Sequence, residues 1–172
     1  MVGLSTTYTN AQTFILKSKD LGGQVTSEQV FNGFGCTGEN ISPQLSWQNA
    51  PEGTKSFAIT IYDPDAPTGS GWWHWVVFNI PADIHQLKRG ASNTLNGLLP
   101  EGCIQSITDY GKTGYGGPCP PEGDQAHRYI ITVYALNTDH LDLDASASPA
   151  LVGYYLNSTA IAKASIISYY KR

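Results

Sequence analysis

Phe57, Ile59 and Ile61 alternate with Ala58, Thr60 and Tyr62, the two-residue period of a strand whose faces meet different surroundings. Trp73 to Ile80 is a continuous aromatic and β-branched run, and Tyr129 to Leu136 repeats it. Such runs predict strands covered on both faces. Shorter strand candidates are Thr13 to Lys17, Gln44 to Trp47 and Cys103 to Ile107. Pro51, Pro64, Pro67, Pro81, Pro100 and the dense Gly114 to Pro121 stretch punctuate them. The last quarter changes character. Ser148 followed by Pro149 reads as an N-cap with proline at the first helical position, which predicts a short helix over Ala150 to Leu156. A second helix is expected from Asn157 or Ser158, carrying Ile161, Ala164, Ser165 and Ile167 at helical spacing. No repeat, charge block or low-complexity linker divides the chain, so residues 1–172 are expected to form one domain. The picture is a β-sandwich or barrel-like core with two late helices, of which periodicity alone supports only a mostly β fold.

Composition narrows the function classes. Charged residues are only 14% of the chain, and 10 basic against 14 acidic groups leave a net charge of −4, without the basic stripe of a nucleic-acid binder. No apolar run approaches the ~18 residues of a membrane span, which excludes a transmembrane helix. Three cysteines, Cys36, Cys103 and Cys119, are an odd number without C-x-x-C spacing, so neither a disulfide-dense scaffold nor a zinc site is indicated. No cofactor is expected. The polar Met1 to Ala11 segment has no signal-peptide pattern, and a cytoplasmic location is expected, a periplasmic one staying open for a trimmed chain.

The residues that could carry chemistry sit in unusual company. His74 lies inside the most apolar strand, between Trp73 and Trp75, and His127 directly precedes Arg128 and Tyr129. An unpaired buried imidazole costs free energy, so each needs a partner. Asp63-Pro64-Asp65-Ala66-Pro67 places two carboxylates at i and i+2, able to project to one face. No Lys or Arg occurs between Lys55 and Lys88, so their partners come from elsewhere, His74, His127 and Arg128 being the candidates. Plainer readings stand beside these: an Asp-Pro turn, a satisfied structural histidine, and an inert proline loop at 116–121. A hydrolase would use Cys119 or Ser70 with a pocket histidine, although Gly69-Ser70-Gly71 falls short of a G-x-S-x-G elbow. A metal site would use His74, His127 and the two aspartates.

The chain resembles the phosphatidylethanolamine-binding protein family, in its bacterial branch of Raf-kinase-inhibitor-like proteins. The resemblance rests on Gly38 to Pro43 (GENISP) running to Leu45-Ser46-Trp47, then Asp63 to Pro67 (DPDAP) and Trp73 to Pro81. Tyr115 to Pro121 (YGGPCPP) and His127-Arg128-Tyr129 complete it, in the family's order and spacing. It implies an antiparallel β-sandwich with two short C-terminal helices and a small cavity at one end, binding phosphate or a phospholipid headgroup without catalysis. The implied ligand set is Asp63, Asp65, Pro67, His74, Gly117, Pro121, His127 and Tyr129. Imidazole N–H, phenol O–H and a loop amide would ring phosphate oxygens, with an aspartate orienting and charging a histidine. Arg128 is expected to brace the loops through a motif aspartate. Cys36 and Cys119 are expected to converge near the pocket, with Cys103 apart. The family includes inhibitors of kinases and of a serine carboxypeptidase, so modulation of a protein target is implied without naming it. A homodimer is a further expectation, and Tyr154, Tyr155, Tyr169 and Tyr170 of the C-terminal helix read equally as its apolar patch or as core packing.

Overall fold

Strands β1 (Ile15–Lys17), β2 (Asn32–Gly33), β3 (Cys36–Thr37) and β4 (Leu45–Gln48) precede two long strands, β5 (Ser56–Asp63) and β6 (Trp72–Pro81), in a computed structural model that describes residues 12–172. The Met1 to Ala11 segment lies outside the described residues. Beyond β6 come β7 (Gln86–Leu87), β8 (Ile104–Gln105), the long β9 (His127–Leu136), a helix α1 (Pro149–Thr159) and β10 (Ala160–Tyr170). All strand pairs are antiparallel, in a five-stranded sheet ordered β10-β9-β5-β6-β8, a three-stranded sheet β1-β4-β7 and the β2-β3 hairpin.

The alternation in β5 sorts its side chains as the sequence indicates. Phe57, Ile59 and Ile61 join Trp75, Val77, Ile131 and Val133 in a core shared with Leu16, Leu45, Trp47 and Leu87 of the three-stranded sheet. Ala58 faces the other way, with Val76, Phe78 and Leu136, against Val152 and Leu156 of α1. Both faces of β5, β6 and β9 are therefore covered, which accounts for their unbroken apolar runs. Each fully buried large aliphatic or aromatic side chain contributes about 1.5–3 kcal/mol, so these three strands form the rigid frame of the molecule. Helix α1 starts where expected: the Ser148 side chain accepts from the Leu151 amide at 3.2 Å, and Pro149 opens the first turn.

The second helix does not form. The chain turns extended at Ala160, and β10 pairs along the whole of β9, from Ala160 opposite Leu136 to Tyr170 opposite His127. Ala160, Ala162, Ala164, Ile166 and Ser168 face inward, while Ile161, Lys163, Ser165, Ile167 and Tyr169 are exposed. Alternation built from alanine and serine has little hydrophobic contrast, so a chance spacing of Ile161, Ala164, Ser165 and Ile167 imitates a helix. The backbone of β9 needs a partner on its outer edge, and β10 supplies one. The expected tyrosine patch is divided accordingly, Tyr154 and Tyr155 on α1 and Tyr169 and Tyr170 at the end of β10. Among the described residues, no helix is long and apolar enough to cross a membrane.

Candidate functional site

The end of β5 and the starts of β6 and β9 lie at one end of the five-stranded sheet, and this brings Asp63, Trp72, His74, His127 and Tyr129 around a cavity of about 160 Å³. A bulge aims His74 into it. Ile61 pairs with Trp75 and Tyr62 with Trp73, so His74 is the extra residue on β6. Trp75 then points into the shared core, while Trp73 turns to the opposite face and stacks on Tyr62 with ring centroids 4.4 Å apart. Re-aiming one side chain is a common use of a bulge beside a binding site.

His127 is held between two carboxylates. Its Nδ1 donates to Asp63 at 2.8 Å in the buried interior, and its Nε2 donates to the half-exposed Asp124 at 3.3 Å. Both partners only accept, so both ring nitrogens carry hydrogen and the ring is an imidazolium. Burial lowers its pKa, but the hydrogen bonds it donates to Asp63 and Asp124, with their charges, outweigh that and hold the pKa above the usual histidine value. The second oxygen of Asp63 is also taken, accepting from the amides of Asp65 at 2.8 Å and Ala66 at 3.1 Å.

His74 has the opposite character. It is 2% exposed, and its Nδ1 donates to the Gly116 carbonyl at 2.7 Å. Burial, the largest influence, pushes its pKa down to about 4, so the ring is neutral at pH 7. Among the described residues its Nε2 has no hydrogen-bond partner although it is buried, and the same holds for the Tyr129 hydroxyl and the Trp72 indole nitrogen. All three residues line the same cavity, with Phe34, Pro67, Tyr110, Cys119 and Pro121 among its walls. Wider grooves of 610 and 590 Å³ open beside Arg89 and Lys112, but among the described residues no partnerless buried polar side chain lines either of them.

The loop carrying Gly116 and Gly117 is fastened on every side. The Gly117 amide donates to Asn40 at 2.7 Å, the Gly117 carbonyl accepts from Tyr110 at 2.6 Å, and Asn40 also donates to the Tyr115 carbonyl at 3.2 Å. A side chain at Gly117 would collide with the Gln29 carbonyl, so only glycine permits this approach. A disulfide between Cys36 and Cys119 ties the β2-β3 hairpin, with Phe34 at its tip, to the proline rim. Cys103 stands apart with a free thiol, which burial pushes up to about 12.

Of the residues expected at the site, Asp63, Pro67, His74, Pro121, His127 and Tyr129 line the cavity together. Two do not. Asp65 turns away, both its oxygens engaged by Arg128, because the bidentate guanidinium outcompetes a place in the cavity. Gly117 offers no free amide, since Asn40 takes it. His127 reaches the cavity with both nitrogens already engaged, and His74 presents a lone pair rather than an N–H. Sequence reasoning missed Phe34, Trp72, Tyr110 and Asp124, which come from loops and strand ends without periodic signal. The Asn in GENISP was the visible trace of the anchor at Asn40. The disulfide removes Cys119 as a nucleophile, and Ser70 is exposed and outside the cavity lining. Among the described residues, no three His, Cys, Asp or Glu side chains are arranged to hold a metal ion.

Comparison with known proteins agrees with the architecture. The YbcL protein of Escherichia coli is 50% identical over 163 residues, covering 94% of this chain and 89% of YbcL. YbhB of the same organism is 52% identical over 153 residues, covering 88% of this chain and 96% of YbhB. The crystal structure of YbcL, described as a new member of the mammalian PEBP family, superposes with a TM-score of 0.90 over 92% of this chain and 98% of the other. A putative homologue from Chlamydia trachomatis, 27% identical, gives a TM-score of 0.76 over 92% and 97%. The pattern of the phosphatidylethanolamine-binding protein family matches residues 21–171, and the chain belongs to that family.

Proposed function

We propose that the protein is a non-enzymatic binder whose cavity takes a small phosphate-bearing ligand of headgroup size. One observation carries this reading. The Tyr129 hydroxyl and His74 Nε2 are buried without a hydrogen-bond partner among the described residues, and both side chains line one cavity. Leaving two such groups unsatisfied costs about 1–3 kcal/mol each, a cost that a polar ligand removes. A volume of about 160 Å³ suits a headgroup and is too small for an acyl chain. Membership of a family named for binding phosphatidylethanolamine supports the same chemistry. The disulfide favours an oxidising compartment over the cytoplasm, where such bonds are rare. Calorimetric titration with phosphoethanolamine tests the reading. Tyr129→Phe removes one hydrogen bond to a charged group and is expected to weaken binding roughly ten- to a hundredfold. If the folded parent releases or absorbs no binding heat at millimolar ligand, and shows no shift in melting temperature, the cavity is not an anion site.

A further inference from the structure

Resting on that reading, we infer that the cavity selects a phosphate group that still carries one proton, with His74 as the selecting residue. The P–OH of a phosphomonoester monoanion, or of dihydrogen phosphate, donates to Nε2 of His74, while Tyr129 and Trp72 donate to the remaining oxygens.

The tautomer of His74 is the starting point. A carbonyl only accepts, so the 2.7 Å contact to Gly116 places the ring hydrogen on Nδ1 and leaves a lone pair on Nε2. The Gly116 amide returns a hydrogen bond to the His74 carbonyl at 2.8 Å, so loop and strand are clamped twice and the ring cannot turn over freely. The charged and titratable groups around His74 are Asp63 on β5, Asp109 and Tyr110 beyond β8, Asp124 before β9, and His127 and Tyr129 on it. Asp63 and Asp124 together outnumber the one imidazolium between them. Among the described residues, no lysine or arginine lines the cavity. The lining therefore offers two donors, one bare acceptor and no surplus positive charge, Arg172 lying behind it on the Phe34 carbonyl and Cys119.

Such a set discriminates between oxyanions of nearly equal shape. Sulfate has no proton to donate at neutral pH, and a phosphodiester has no P–OH, so each would set an oxygen against the Nε2 lone pair. A dianion gains no compensating cation. The monoanion of a phosphomonoester satisfies Nε2, Tyr129 and Trp72 together. A free phosphomonoester and an intact phospholipid headgroup share the phosphoryl oxygens, and only the first carries the P–OH.

Calorimetric titration of the full chain at pH 6 with inorganic phosphate, phosphoethanolamine, sulfate and glycerophosphoethanolamine tests the inference without any variant. Phosphate and phosphoethanolamine are expected to bind at least about tenfold more tightly than sulfate and the diester, the least that a missing hydrogen bond at a built site costs. With a second phosphate pKa near 6, phosphoethanolamine affinity is expected to fall roughly fiftyfold between pH 6 and pH 8, with uptake of about one proton at pH 8 read from buffers of different ionisation enthalpy. Sulfate binding as tightly as phosphate overturns the inference and leaves the anion-site reading standing. Glycerophosphoethanolamine matching phosphoethanolamine identifies a diester headgroup and also overturns it. Failure of all four ligands overturns the reading and the inference together. In His74→Gln the amide can donate, and sulfate is expected to come within about threefold of phosphate. Discrimination unchanged in the folded variant removes the role from His74.

Discussion

Arg128 grips Asp65 as a fork, with Nε donating to one carboxylate oxygen at 2.9 Å and a terminal nitrogen to the other at 2.6 Å. The Arg128 amide adds a third hydrogen bond at 2.8 Å, which fastens the DPDAP turn to the start of β9. The side-chain hydrogen bond from Arg128 is the main reason that the Asp65 carboxyl is lowered to about 2. A depressed carboxyl stabilises above its unfolded value and loses that contribution as pH falls through the folded one. Arg128→Met is therefore expected to lower the urea midpoint at pH 5, with the gap to the parent closing as pH falls from 4 to 2. A gap of constant size would show that the fork does not act through charge.

The Asp63–His127–Asp124 array works on the other side of neutrality. The folded pKa of His127 is raised, so its contribution is complete below the unfolded value of 6.5 and is lost as pH rises through the folded one. Asp63→Ala breaks a buried pair and strips two amides of their acceptor, which is expected to cost about 3–5 kcal/mol at pH 6 by urea unfolding. The cost shrinks at higher pH. An NMR titration in which the His127 ring titrates below the usual histidine value would contradict the assignment.

Closing a loop between Cys36 and Cys119, 83 residues apart, removes much freedom from the unfolded chain. Replacing both by serine is expected to cost about 2–5 kcal/mol, and Cys103→Ser alone far less. Thiol counting on the denatured, unreduced protein is expected to find one free thiol, at Cys103. Three free thiols in protein from an oxidising preparation would refute the bond.

Asn40 is the pin of the proline loop and sits in left-handed backbone with φ 54°. Asn40→Ala loses both side-chain hydrogen bonds and adds strain, so a loss of about 2–4 kcal/mol is expected, against a smaller loss for Asn40→Gly, which relieves the strain. Equal losses in thermal melts would mean that the conformation contributes nothing.

How far the sequence was legible follows from where each residue sits. The cores of β5, β6 and β9 could be read because their faces meet different large apolar layers, at Phe57 and Ala58 for example. The partners of the two motif aspartates were confined by the lack of nearby cations, and the pairing resolved into Asp63 with His127 and Asp65 with Arg128. Strand β10 was obscured because alanine and serine fill its inner face. The tautomer of His74 was hidden because it depends on the Gly116 carbonyl, and no local pattern reports a contact between residues 42 positions apart. Phe34 reaches the cavity, and Asp124 reaches His127 behind it, from loops, where position is set by tertiary ties such as the disulfide rather than by periodicity.

The absence of lysine and arginine among the described residues lining the cavity has a kinetic consequence. Positive pockets draw anions in, and added salt slows their capture by screening that attraction. Here His127 and Arg128 are occupied by aspartates, Arg172 sits behind the rim on the Phe34 carbonyl and Cys119, and the whole chain carries a net charge of −4, so an incoming anion meets little net attraction. Raising the ionic strength is then expected to leave the association rate unchanged or to increase it. The protein would capture its ligand by random collision and hold it by fit, which suits a ligand that is locally abundant rather than one hunted at trace concentration.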